Sequence, residues 1–243
     1  MLGLLDAGLP APARGVFTTR QGGASRPPWD SLDLAVHVGD AHATVQHNRA
    51  LLVAELGLQG LAFGKQVHGR GVRLVKGLST RTTRGLDDTD GLVTTVPGIG
   101  LAMMGADCLP VLLSAAGPVP VVGAAHVGRP GLAKGVLLEV VRVMQEQGGA
   151  AITAVLGPGI CGRCYEVPAS LAGEVDKAVP GSRATTRQGT ASIDLLAGAS
   201  AQLARAGVPV SSVGGCTLEQ PQRFFSYRRD GVTGRHAGIV WLV

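Results

Sequence analysis

Between Leu61 and Ala125 the chain breaks into six short apolar runs: Leu61–Phe63, Val72–Val75, Gly91–Thr95, Leu101–Met104, Val111–Leu113 and Val119–Ala125, punctuated by Gly, Asp and Pro. Runs of this length, bounded by turn residues, read as sheet strands. Helical spacing flanks them. Val45, Leu52 and Leu56 recur at helical intervals within 43–56, and Gly57 is placed to end that helix in a left-handed conformation. Leu132, Val136, Val140 and Val143 form a second stripe that predicts one helix running toward Gly148-Gly149. Further along, Ala154–Leu156 and Ile239–Val243 read as strands. Pro168 is expected at the first position of a helix through Val179, and Ser192 as the cap of a helix carrying Ile193, Leu196, Ala197 and Leu203. The stretch from Gly15 to Gly39 reads as a short strand followed by a loop long enough to border a site. Strands and helices mix without a regular βαβ period, and no internal repeat or linker appears. The expected class is therefore α+β, one mixed-sheet domain over residues 1–243.

Composition bears on compartment and partners. With 45% hydrophobic residues and a mean hydropathy of +0.27, the chain can bury a full core. No apolar run approaches about 18 residues, and Met1 to Arg20 lacks a basic segment followed by an apolar one, so a cytoplasmic protein with no membrane contact is expected. Four cysteines, Cys108, Cys161, Cys164 and Cys216, would stay reduced there, which points to metal binding or thiol chemistry rather than a disulfide framework. The net charge is +5, and arginine outnumbers lysine, a bias suited to bidentate capture of phosphate or carboxylate. Aromatics make up 3% and no basic run is interleaved with stacking rings, so small anionic ligands are expected rather than nucleic acid.

Three segments each present a potential metal ligand beside a glycine or at a strand end: Gln66-Val67-His68-Gly69, Gly105-Ala106-Asp107-Cys108 and Ala124-Ala125-His126-Val127-Gly128. Two imidazoles and a thiolate are ligand types that Zn²⁺ prefers, and three protein ligands leave a fourth tetrahedral position open. Spacing alone does not select this triple, since a histidine after a strand is commonly a hydrogen-bonded structural residue and a buried cysteine a small hydrophobe. Cys161-Gly162-Arg163-Cys164, with Cys216 beyond it, has the look of half a zinc ribbon, but the second Cys-x2-Cys pair of such a site is absent. Phe224-Phe225-Ser226-Tyr227-Arg228-Arg229-Asp230 places rings beside guanidinium groups, chemistry fit to stack a base and clamp an anion or to form a packed strand with a solvated basic turn. Gly157-Pro158-Gly159 is a turn signal only.

Taken in chain order, Phe17-Thr18-Thr19-Arg20 with Gly22-Gly23, His37-Val38-Gly39-Asp40, Asn48-Arg49, Gln66-Val67-His68-Gly69, Asp90-Gly91, Ala106-Asp107-Cys108, Ala125-His126, Cys164-Tyr165-Glu166-Val167 and Ser226-Tyr227-Arg228-Arg229-Asp230 resemble the YfiH/laccase-domain family across nearly the whole chain. The resemblance implies a single-domain mixed-sheet α/β sandwich and one zinc ion per chain, rather than copper, on His68, Cys108 and His126. It also implies phosphorolysis of adenosine, inosine and methylthioadenosine, adenosine deamination, and in some members editing of peptidoglycan precursors. Purine nucleosides and phosphate are the expected partners, and the chain is expected to be a monomer or homodimer. Asp107 is expected as an orienting group or general acid/base, and Arg20, Asn48 and Arg229 as substrate contacts. An amide hydrolase using Cys108 and His126 is the rival enzyme reading. A non-enzymatic zinc-binding protein with Cys161, Cys164 and Cys216 as structural ligands is another. A laccase with several coppers would need many more histidines than the six present. One departure stands out: where the family commonly reads His-Ala-Gly-Trp-Arg-Gly, this chain reads His126-Val127-Gly128-Arg129-Pro130-Gly131, so an anion-binding arginine would have to act from Arg129.

Overall fold

The computed structural model describes residues 1–243. Its strands in chain order are β1 (Leu4–Asp6), β2 (Ala13–Thr18), β3 (Gly60–Phe63), β4 (Val72–Leu74), β5 (Gly91–Thr94), β6 (Ile99–Gly105), β7 (Leu109–Ala116), β8 (Val121–Val127), β9 (Ala150–Leu156), β10 (Arg183–Thr185), β11 (Ala191–Ile193), β12 (Val210–Ser212) and β13 (His236–Leu242). The helices are α1 (His42–Leu56), α2 (Thr80–Arg84), α3 (Arg129–Lys134), α4 (Val136–Glu146), α5 (Ala169–Ala178), α6 (Leu195–Arg205) and α7 (Tyr227–Asp230). No helix is long and apolar enough to cross a membrane.

Two mixed sheets carry the architecture, one ordered β1-β2-β13-β6-β3 and the other β12-β9-β7-β8-β5-β4, with β10-β11 as a separate ribbon. The expected mixed sheet is thus a sandwich of two. Its central strands are mostly apolar and buried along nearly their whole length because both faces of each sheet are covered. Leu101 and Met103 of β6 meet Leu112 of β7 and Val122 of β8 between the sheets, joined by Phe17, Leu92, Val155 and Val240. Their chain neighbours point the other way. Val93, Val111 and Leu113 pack outward against Val136, Val140 and Met144 of α4 and Leu195 and Leu203 of α6. On the opposite outer face, Ala102, Ile239 and Trp241 pack under Leu52 of α1 and the loop residues Leu32 and Leu34. Each such fully buried side chain contributes about 1.5–3 kcal/mol.

Most of the expected strands are present but longer, and α1 ends as expected at Gly57, whose φ of 64° and N–H bonds to Ala54 and Val53 carbonyls close the last turn. Three expectations need correction. The single helix through Leu132 and Val143 is two, α3 and α4, because Gly135 takes φ 80° and breaks the ladder between them. Pro168 caps α5 from outside, with φ −54° and ψ 142°, instead of opening it. Ser192 lies in β11, its hydroxyl donating to the Gly162 carbonyl, and Asp194 caps α6 by accepting from the Ala197 N–H at 2.9 Å.

Candidate metal centre

The ends of β3, β6 and β8 and the start of β5 converge at one end of the sandwich, and each delivers a group to a common point. The pairing of β5 with β8 sets Gly91 opposite Ala125, which brings Asp90 beside His126. The Asp90 carboxylate accepts the His126 Nδ1 proton at 2.8 Å and three backbone N–H groups, from Val67 at 3.2 Å, His68 at 3.0 Å and Gly69 at 2.7 Å. One buried carboxylate therefore both fixes the His126 tautomer and shapes the loop after β3. That loop holds His68 in a left-handed conformation, φ 57°, which swings its ring over the site. Cys108 comes from the turn between β6 and β7, immediately after Asp107 at φ 105°.

The Cys108 Sγ lies 3.5 Å from His68 Nε2, and the donor atoms of His68, Cys108 and His126 all fall within 4.8 Å of one another. A tetrahedral zinc with Zn–N near 2.1 Å and Zn–S near 2.3 Å requires an N···S edge of about 3.6 Å. The Cys108–His68 edge already matches this value, and the donor set fits a zinc ion once the wider separations, up to 4.8 Å, close. With Nδ1 donating to Asp90, His126 turns Nε2 toward the other two candidate ligands, and a metal ion there would take the place of the Nε2 proton. The two rings stand edge to face, centroids 4.8 Å apart. Gly128 floors the site: a Cβ there would lie 2.4 Å from His68 Cδ2 and 3.0 Å from the Cys108 sulfur.

Electrostatics favour a cation between these groups. Burial would raise the Cys108 thiol, but the neighbouring His126 imidazole, followed by hydrogen bonds to both histidines, draws it below the usual thiol range. Burial would likewise lower His126, yet the Cys108 sulfur and the Asp90 carboxylate hold it above the usual imidazole range. For Asp90, the cost of burial is outweighed by the His126 bond and the backbone N–H groups, which keep it ionised.

The cavity over the triad has a volume of about 310 Å³, within the range of small-molecule sites, and its wall includes His37, Tyr227 and Arg235. None of these three was assigned from sequence, although His37 and Tyr227 fall inside motifs quoted above. Gln66 also lines it, but its amide pairs with both the N–H and the carbonyl of Met104, so it secures the loop to β6. Burial and the negative Cys108 sulfur raise the Tyr165 phenol, while the nearby Arg129 and Arg228 guanidinium groups oppose that rise. Arg228 stacks 5.2 Å from the Tyr165 ring centroid. Of the nearby arginines, Arg235 lines the cavity, its guanidinium donating to the Thr233 and Gly234 carbonyls.

Four residues expected to act on substrate or in catalysis make hydrogen bonds to the protein's own backbone and side chains. Asn48 is fully buried, accepting from Ala24 N–H and donating to Ser25 Oγ and the Ser31 and Asp33 carbonyls. Arg20 spans the Asp30 and Pro221 carbonyls and lies over the Phe225 ring. Arg229 donates to the Thr217, Leu218 and Phe224 carbonyls and pairs with Asp230. Asp107 accepts from Thr217 Oγ1 at 2.6 Å, Ser226 Oγ at 2.7 Å and Arg228 N–H at 2.7 Å, and it does not line the cavity. The long polar loops around the site need internal donors and acceptors, and these residues supply them.

Residues 14–243 match the family described as multi-copper polyphenol oxidoreductase laccase. A Mycobacterium tuberculosis H37Rv protein named purine nucleoside phosphorylase is 47% identical over 234 residues, 94% of this chain and 92% of that relative. A Streptomyces griseus protein of the same name is 46% identical over 93% of each chain. Among solved structures, YlmD from Geobacillus stearothermophilus superposes with a TM-score of 0.89 at 31% identity, covering 99% of this chain and 96% of its own. A Neisseria meningitidis protein superposes with a TM-score of 0.87 at 34% identity, covering 99% of each.

Proposed function

This chain belongs to the multi-copper polyphenol oxidoreductase laccase family, and we propose that it is a purine nucleoside phosphorylase working at one zinc ion on His68, Cys108 and His126. The observation that carries this reading is the convergence of two imidazoles and one thiolate in a cavity, with Asp90 orienting His126. The donor set suits a single borderline metal, while oxidation of phenols by several coppers calls for more histidines than this centre offers. Relatives named purine nucleoside phosphorylase, at up to 47% identity over nearly full length, support the choice of reaction.

His68, Cys108 and His126 would hold the zinc ion, which when bound would supply Lewis acidity to the cavity. The chain's own residues do the rest. In phosphorolysis of adenosine, inosine or methylthioadenosine, a phosphate oxygen bonds to ribose C1′ as the C1′–N bond breaks, its electron pair leaving with the purine. Arg235 in the cavity wall, with Arg228 stacked on nearby Tyr165, supplies positive charge to draw phosphate in. Tyr227, which is largely exposed at the cavity mouth, offers a ring on which the purine stacks. Asp90 keeps the His126 proton on Nδ1 throughout. Adenosine deamination, with water attacking purine C6, is proposed for the same cavity.

One observation favours a second reading: Cys108, His126 and Asp90 line up as nucleophile, base and orienting carboxylate, the arrangement of a thiol amide hydrolase that would suit precursor editing. The second imidazole, His68, within 3.5 Å of the same sulfur tips the balance toward a metal set. Chelation separates the two. Stripping the metal is expected to abolish phosphate-dependent cleavage of inosine, and zinc is expected to restore it. Cleavage that persists in metal-free protein would contradict the zinc reading.

A further inference from the structure

Cys161 and Cys164 sit two residues apart in the pattern of a zinc knuckle, and the fold sets against them a second pair with the same spacing, Cys216 and Glu219. Sequence reading sought a second pair of cysteines; the partner pair is a cysteine and a carboxylate. Three sulfurs and one carboxylate oxygen from these residues lie within 4.8 Å of one another. A tetrahedral zinc with Zn–S near 2.3 Å has S···S edges of about 3.8 Å, so the cluster is close to ligand geometry.

The local backbone has the form such a site needs. The Cys164 and Tyr165 N–H groups fold back onto the Cys161 carbonyl at 2.9 and 3.0 Å, and the Gln220 N–H onto the Cys216 carbonyl at 3.1 Å, so each pair rides on its own tight turn. The Cys161 N–H donates to the Cys216 sulfur at 3.4 Å, a contact that favours a thiolate, and the Cys164 thiol reaches Glu219 Oε1 at 3.2 Å. Arg187 pairs with Glu219 and offsets part of the negative charge of the set. All three cysteines are free thiols. A dithiol redox pair has no use for the carboxylate, whereas a divalent cation does.

We propose that Cys161, Cys164, Cys216 and Glu219 hold a second, structural zinc ion, separate from the one on His68, Cys108 and His126. Four protein ligands close the coordination sphere, so this ion does no chemistry. Its place explains its use. It fastens the segment after β9 to the segment after β12, and both segments grip Asp107: the Ile160 N–H donates to the Asp107 carbonyl at 2.9 Å and Thr217 Oγ1 to its carboxylate at 2.6 Å. The ion therefore braces, from behind, the turn that presents Cys108. This inference is independent of the nucleoside reaction.

The test is metal stoichiometry in freshly purified, zinc-loaded and gel-filtered protein, by elemental analysis against protein concentration. Two zinc ions per chain are expected in the native protein, one in Cys108→Ala, and one in the double variant Cys161→Ser with Cys164→Ser. Cobalt replacement of the native protein and of Cys108→Ala gives a second reading that needs no change to the cluster. A thiolate-to-metal absorption band that survives Cys108→Ala supports the proposal. A native protein that holds one ion and a Cys108→Ala variant that holds none and lacks the cobalt band would overturn it, as would a Cys161–Cys164 or Cys161–Cys216 disulfide in the fresh protein.

Discussion

Replacing Asp90 by Asn keeps the shape of the side chain and removes its ability to accept on both sides. In the native protein Oδ2 accepts from the Val67 and Gly69 N–H groups, and Oδ1 from the His68 N–H and His126 Nδ1. The asparagine oxygen can serve only one of these pairs. Turned toward the two backbone donors at Oδ2, it leaves its NH₂ facing His126, which must then carry its proton on Nε2 and lose the lone pair that faces Cys108 and His68. Turned the other way, it sets its NH₂ against two backbone N–H groups and unseats the His68 loop. Either way one hydrogen bond to a charged group is lost at the metal centre, worth about 1.5–3 kcal/mol. That range corresponds to a fall in zinc affinity of roughly 10–150-fold, in line with the roughly 10–100-fold measured for orienting partners of metal-bound histidines. Competition against a chromophoric chelator at fixed pH reads the affinity, circular dichroism checks the fold, and ¹⁵N NMR of the imidazoles reads the tautomer. A folded Asp90→Asn protein with native zinc affinity and His126 still protonated at Nδ1 would refute the reasoning.

Three further outcomes follow from the same structure. Gly128→Ala has an allowed backbone, φ −86°, but its Cβ meets His68 Cδ2 at 2.4 Å. Crowding of this kind costs about 1–3 kcal/mol, so the variant is expected to fold and lose zinc from the triad, and full zinc content at that site would contradict the floor assigned to Gly128. Asp33 is buried, its Oδ2 lacks a partner, and burial raises its carboxyl from 3.8 to about 6. The folded state then holds more protons than the unfolded between those values, so this group's contribution is full below pH 3.8 and is lost as pH rises through about 6. The total is on the order of 3 kcal/mol. Denaturant unfolding of native and Asp33→Asn proteins should show a stability difference that grows in favour of Asn across that window, and a flat difference would contradict the assignment. Asp107→Asn is expected to loosen the Cys108 turn by weakening its bonds to Thr217 and Ser226, lowering thermal stability while leaving an intact pH profile of turnover; a shifted profile would return Asp107 to the acid/base role.

Much of the fold was legible because both faces of the central strands are covered, which makes runs such as Val111–Leu113 apolar without interruption. The misplaced boundaries have local causes. Gly135 interrupts a stripe that keeps its helical period across the break, and Ser192 and Asp194 are both good caps, so only the register of β11 against β10 decides between them. At the site, the grouping of His68, Cys108 and His126 was legible through motifs and not through spacing. Asp90 was visible only as half of Asp90-Gly91, because its role depends on three N–H groups gathered by a loop about 22 residues away in sequence. For Arg20, Asn48 and Arg229 the sequence is ambiguous for a general reason: a side chain rich in hydrogen-bonding groups looks the same whether it meets a substrate or the carbonyls these three bond in the fold. Glu219 escaped notice because a carboxylate beside cysteines carries no signal until the chain folds.

The central claim is that phosphorolysis occurs at the zinc triad. Product analysis with inosine and adenosine, with and without phosphate, on zinc-quantified native and Cys108→Ala proteins tests it directly. Ribose 1-phosphate that requires phosphate and disappears in a folded Cys108→Ala protein is the predicted result. Equal ribose 1-phosphate from both proteins, or none from native protein with its triad zinc bound, would contradict the account.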